Sequence, residues 1–182
     1  MYKTEVIVKE IELPKLLEQY CFPEKFLPLC KKCPDYGKVW SCPPGLPKND
    51  EIFSKYKKAF VVGLKVIYDE DTIAQASSLE KADMIRQNTY KKAKRALLEI
   101  LLVLEEQNPG STSLGAGKCE VCSACSRAET KPCRIPGHMR YSFTAFGFDI
   151  TAIAEELLGV NLLWEPNGLP SYDFAVAALL TE

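Results

Sequence analysis

The segment GKCEVCSACSRAETKPCR, residues 117–134, holds four of the chain's eight cysteines: Cys119, Cys122, Cys125 and Cys133. The first three recur at three-residue intervals, so one stretch of backbone can wrap a corner of a cubane and ligate three irons, with Cys133 completing the set. Zinc is more often held by two separated C-x2-C knuckles, which close a tetrahedron easily. The run is therefore closer to a ferredoxin than to a zinc knuckle. It departs from the bacterial ferredoxin run in two respects: seven residues separate Cys125 from Cys133, and proline precedes Cys133 instead of following it. Zinc stands as the alternative metal, and an unmetallated thiol or disulfide loop as the third reading.

A second set lies far upstream in CKKCPDYGKVWSCPPG, where Cys30, Cys33 and Cys42 follow the pattern C-x2-C-x8-C. Pro34, Pro43 and Pro44 beside these ligands fix the chain direction, and Gly37 and Gly45 permit tight turns. Cys21 is the candidate fourth ligand, although its place between two helical turns favours a small buried hydrophobe. If the fourth ligand is absent, one metal position is open to water or substrate. Cys42 and Cys133 can also be exchanged between two clusters, as the last cysteines of two-cluster ferredoxins are. Tyr36 and Trp40 are placed to shield a cluster from water or to pack the loop.

Arg134, His138 and Arg140 follow Cys133 closely. The two arginines are candidates for offsetting thiolate charge or holding an anionic substrate near the metal; the competing reading is that they cap the next turn. His138 is the only histidine, so a histidine-rich site is excluded, and an exposed loop position is the expectation for it. Gly115-Ala116-Gly117 lacks the frame of a phosphate-binding loop, and one histidine allows no Ser-His-Asp order.

The elements that must position these residues are readable around them. Residues 4–13 form an expected strand, followed by helical turns at 16–20 and 23–29, then a cysteine loop over about residues 30–47. Lys58–Tyr68 is apolar on both faces and reads as a central strand. Ser77 with Glu80 suggests a capping box, and apolar residues recur at helical spacing through Leu104 until Pro109-Gly110 stops the helix. The second cysteine loop spans about residues 109–140. A helical turn at 139–146, a helix capped by Asp149 and ended by Gly159, and strands at 160–164 and 172–180 complete the chain. The expected fold class is α+β, a mostly antiparallel sheet of about four strands covered by two main helices, in a single domain over 1–182.

The second loop cannot be ordered by burial alone. It has four aliphatic side chains of any size, Leu114, Val121, Ile135 and Met139. Fixing backbone costs about 1–2 kcal/mol per residue, whereas fully burying such a side chain returns about 1.5–3 kcal/mol. A structural metal supplies about 10–16 kcal/mol. The chain is 47% hydrophobic and 26% charged, with a formal net charge of −1, so no global basic field draws it to nucleic acid or membrane. Lys31, Lys32, Lys38 and Lys48 read as a solvated rim or a docking face for an acidic partner. No apolar stretch has the length of a bilayer span and the N-terminus lacks a secretory pattern, so a cytoplasmic location is expected. In that reducing compartment, closely spaced cysteines point to metal thiolates.

The two cysteine motifs, with GAGKCEVCSACSRAETKPCRIPGHMRYSFTAFGFD around the second, resemble those of a bacterial and archaeal family of predicted metal-binding proteins of unknown function. The resemblance runs from about Phe22 to the C-terminus. It implies metal binding by Cys30, Cys33, Cys42, Cys119, Cys122, Cys125 and Cys133, and no known reaction. Cys21 lies outside the resembling pattern, and an acidic residue is common in the family where this chain has Thr144. The leading expectation is one or two 4Fe–4S clusters exchanging electrons with a partner redox protein. A zinc-stabilised binding module and an enzyme with an open iron site are its rivals.

Overall fold

A computed structural model describes the chain from Met1 to Glu182. Strand β1 (Tyr2–Glu12) runs into helix α1 (Leu13–Tyr20), and α2 (Pro23–Lys32) leads to the first cysteine loop. After a short α3 (Asn49–Phe53) the chain returns as β2 (Lys58–Tyr68). Helices α4 (Glu70–Gln75), α5 (Leu79–Asn88) and α6 (Tyr90–Gln107) follow, then β3 (Thr112–Leu114) and the second cysteine loop. Helix α7 (Ile150–Ala152), widened into a π-turn over Ile153–Leu157, precedes β4 (Tyr172–Thr181). The strands form one antiparallel sheet in the order β1-β2-β4-β3, so the chain adopts the expected α+β class.

The two-residue period of the inner strands builds a core on each face of the sheet. Ala59 and Val61 of β2, with Val176, Ala178 and Leu180 of β4, pack against Leu13 and Leu16 of α1, Phe53 of α3, and Ile153. Phe143, Phe146 and Phe148 join them, with Phe53 edge-on to Phe146 at 5.2 Å between ring centroids. Val62, Leu64 and Val66 face the other way, with Ala175, Ala177 and Leu179, onto Ala82 of α5 and Leu97 and Leu101 of α6. The central position expected for 58–68 follows from that two-sided burial.

Several elements differ from the sequence expectations: α3, α4 and β3 lie where no helix or strand is expected, β3 inside the second cysteine loop. The long helix begins at an N-cap one residue later, where Ser78 Oγ accepts from the Lys81 amide at 3.3 Å, and it breaks at Thr89. Buried Thr89 donates its hydroxyl back to the Ile85 carbonyl at 2.7 Å, the type of bond that bends helices. Residues 160–164 form no strand, because the Val160 amide turns back to the Ala154 carbonyl and β3 occupies the sheet edge beside β4. The Asp149 cap is present, its Oδ1 accepting from the Ala152 amide at 3.1 Å, but the helix behind it widens when the Leu158 amide reaches Ile153.

Candidate metal centres

Helix α2 runs to Lys32, so Cys30 stands on its last turn and Cys33 caps it, the Cys33 amide donating to the Cys30 carbonyl at 3.0 Å. Gly37 and Gly45 both take the left-handed conformation, with φ of 71° and 86°, and the Gly37 amide donates to the Pro43 carbonyl at 3.0 Å. That reversal brings Cys42 back towards Cys30 and Cys33, close enough for their charges to act on it. Burial pushes the Cys42 thiol up, the Ser41 hydroxyl opposes this, and the Cys30, Cys33 and Asp35 charges add to it. Burial, followed by Cys33, raises Cys30 as well.

The second loop leaves the sheet directly from β3 and is closed at its neck. The Gly115 amide donates to the Tyr141 carbonyl at 2.8 Å, and the Phe143 amide donates back to Gly115 at 2.9 Å. Beyond that neck Cys119, Cys122, Cys125 and Cys133 line one small cavity, completed by Trp40, Val121, Ile135, Met139 and Arg134. Burial raises the Cys119 thiol, the Val121 amide opposes this, and the charges of Cys133, Cys122 and Cys125 push it further up. Thiols that raise one another in this way favour the protonated state until a cation compensates them. The donor set thus fits a thiophilic metal or an iron–sulfur cluster. As the side chains stand, no three His, Cys, Asp or Glu converge on a single-ion site.

The two loops are stitched into one unit. Ser41, fully buried, accepts from the Cys119 amide at 2.8 Å while its hydroxyl lies 3.8 Å from Cys42 Sγ, so it joins the backbone at the first cysteine of the second loop to the last thiol of the first loop. Arg127 crosses from the second loop to donate to the carbonyls of Val39 and Cys42, both at 2.8 Å, and of Pro44. Its guanidinium stacks 4.8 Å from the Trp40 ring, and Trp40 Nε1 donates to the Lys131 carbonyl at 3.2 Å. Nothing in the spacing of either motif marks Ser41 or Arg127, because each acts on backbone more than seventy residues away.

The other candidates separate. Arg134 lies at the rim of the four-thiol cavity, donating to the Ala124 carbonyl at 2.8 Å. Arg140 is engaged elsewhere: its Nε and Nη2 grip Glu105 at 2.5–3.1 Å, and Nη1 donates to the Gly137 and Met139 carbonyls. Burial alone would raise Glu105, but Arg140 and the Ser113 amide outweigh it and hold the carboxyl below its usual range. That pair ties the exit of the second loop to α6. His138 is exposed, outside the residues lining the thiol cavity. Cys21 stands apart from both groups, against the aromatic core, with Sγ 3.4 Å from the Phe146 carbonyl it donates to and 3.3 Å from Asn49 Nδ2.

Residues 17–179 match the family described as predicted metal-binding protein (DUF2284). The chain belongs to this family. No curated protein and no solved structure matches it. DUF2284 membership makes the protein a predicted metal-binding one and names neither the ion nor a reaction. No helix of this DUF2284 chain is long and apolar enough to cross a membrane.

Proposed function

We propose that the protein is an iron–sulfur protein in which Cys119, Cys122, Cys125 and Cys133 hold a 4Fe–4S cluster. Cys30, Cys33 and Cys42 offer ligands for a second, and the protein exchanges single electrons with a partner redox protein. The observation that carries the reading is the gathering of the x2-spaced triple and Cys133 around one cavity. When bound, such a cluster supplies one-electron redox chemistry.

The chain's own residues shape the environment of that group. Trp40, Ile135 and Met139 wall the thiols with apolar surface and limit water, which tunes potential. The Arg134 guanidinium at the rim, 3.9 Å from Glu129, is the cation placed to offset thiolate charge. Ser41 joins the Cys42 sulfur to the Cys119 backbone through a buried hydroxyl. The three-thiol group, with Asp35 in electrostatic reach of Cys42, is the one that could leave a coordination position open.

A zinc-stabilised module is the second reading: between Gly115 and Arg140 only Ser126 is buried, so a metal serving folding alone would account for the cysteines. Anaerobic purification from iron-replete cells separates the two. Stoichiometric iron and sulfide, with visible absorption that bleaches on adding dithionite, is the expected result. Colourless protein with stoichiometric zinc would overturn the iron–sulfur reading.

A further inference from the structure

A cleft of about 480 Å³ opens between the first cysteine loop, the α5–α6 junction and the second cysteine loop. Cys119, Cys122 and Cys125 line it as well as the thiol cavity, so these residues form the partition between the two spaces. Its charge is at odds with the rest of the molecule. Lys38, Lys91, Lys92, Arg95 and Lys118 line it with Asp35 and Glu120, an excess of three positive charges before the thiolates of the cysteine wall are counted, in a chain of net charge −1.

Both acids are already engaged. Lys118 pairs with Asp35 at 2.9 Å, and Lys94, from outside the cleft, pairs with Glu120 at 3.2 Å. Lys38, Lys91 and Lys92 form no ion pair, and the first turn of α6, where Lys91 and Lys92 sit, contains no acidic residue. Arg95 donates one Nη2 bond to the Glu120 carbonyl, which leaves Nε and Nη1 without a partner. Four cations drawn from two distant segments thus line, without a side-chain ion pair of their own, a space of the size small-molecule sites have.

We infer that this cleft binds a small molecule through a diphosphate group, held by Lys38, Lys91, Lys92 and Arg95 against the cysteine-bearing wall. A diphosphate group spans cations on opposite walls of the cleft, from Lys38 of the first loop to Lys91, Lys92 and Arg95 of α6, which a single phosphate group is too small to do. Lysines act as point charges on phosphate oxygens and Arg95 as a planar fork. The inference does not depend on which metal the thiols hold. It places the bound anion on the far side of the metal-ligand wall.

The test is a calorimetric titration of the full-length protein, its iron and zinc assayed in the same preparation, with sodium pyrophosphate, ADP and citrate in turn. Saturable one-to-one binding of pyrophosphate and ADP is expected, weakened by added salt and stronger than that of citrate. The double variant Lys91→Gln/Lys92→Gln should weaken it at least about tenfold, the loss expected for charge-assisted hydrogen bonds, with metal content unchanged. Lys31→Gln/Lys32→Gln, outside the cleft, should leave it as it is. Absence of saturable pyrophosphate binding overturns the inference, as does equal weakening by both double variants. So does citrate binding as tightly as pyrophosphate. Binding of polyglutamate with the same lysine dependence, but not of pyrophosphate, would make the cleft a docking rim for an acidic protein and likewise overturn it. Because metal is measured independently, failure here with metal intact leaves the metal reading standing, and the converse also holds.

Discussion

Arg127 does most of the joining between the two cysteine loops, with one guanidinium satisfying three carbonyls of the first loop and covering Trp40. Arg127→Ala leaves those carbonyls short of a donor and is expected to cost about 1–3 kcal/mol, read as a lower midpoint in thermal unfolding. Arg127→Lys should recover little, since a lysine cannot present the same planar fork. Cys21 carries a different expectation. Burial, opposed in part by the Asn49 hydrogen bond, moves its thiol from 9.0 to about 11. Between those values an unfolded chain ionises this thiol while the folded chain keeps it neutral, so its contribution is complete below pH 9 and is lost as pH rises towards 11. Denaturant titrations across that range should show stability falling, with a shallower fall in Cys21→Ala. An unchanged slope would remove Cys21 from the account.

At the scale of elements, α2 is placed by a close approach of backbones. Gly147 ends the aromatic turn at φ +88°, and a Cβ there would lie 2.4 Å from Pro23 Cα at the start of α2. The Phe22 amide donates to the Gly147 carbonyl at 2.8 Å across the same junction. Gly147→Ala combines left-handed strain with a backbone clash and is expected to cost about 2–3 kcal/mol. Because α2 carries Cys30 and is capped by Cys33, the variant should also weaken metal binding by the first loop. Chemical denaturation with metal analysis reads both effects. A variant as stable as the parent would mean that α2 is held some other way.

Across the whole molecule the sheet and the cysteine loops rest on different physics. The sheet buries side chains on both faces, whereas almost nothing between Gly115 and Arg140 is buried. Cys122→Ala is therefore expected to release metal and expose Lys118, Arg127 and Arg134 to trypsin, while circular dichroism of the sheet and helices changes little. The coordination assignment fails if metal content and protease resistance both survive. Metal uptake should also strengthen as pH rises, because the raised Cys119, Cys42 and Cys30 thiols must lose protons to bind.

Much of this was legible in one dimension because its causes are local. The spacing of Cys119, Cys122 and Cys125, the two-sided apolar run of β2, and the Asp149 cap depend on residues within a few positions of one another. So does the second loop's scarcity of aliphatic side chains, which is a matter of composition. What the sequence could not show is decided by partners far apart in it. The break at Thr89 depends on a buried hydroxyl turning to its own helix, and the loss of a strand at 160–164 on β3 having taken the sheet edge. Arg140, adjacent to the cysteines in sequence, is drawn to Glu105 instead. Lys38, Lys91, Lys92 and Arg95 carry no shared motif and form a cleft only because the α5–α6 junction packs beside both loops. Local spacing set which side chains can bind; long-range packing, which brings distant charges and backbones within a few ångströms, decided where they act.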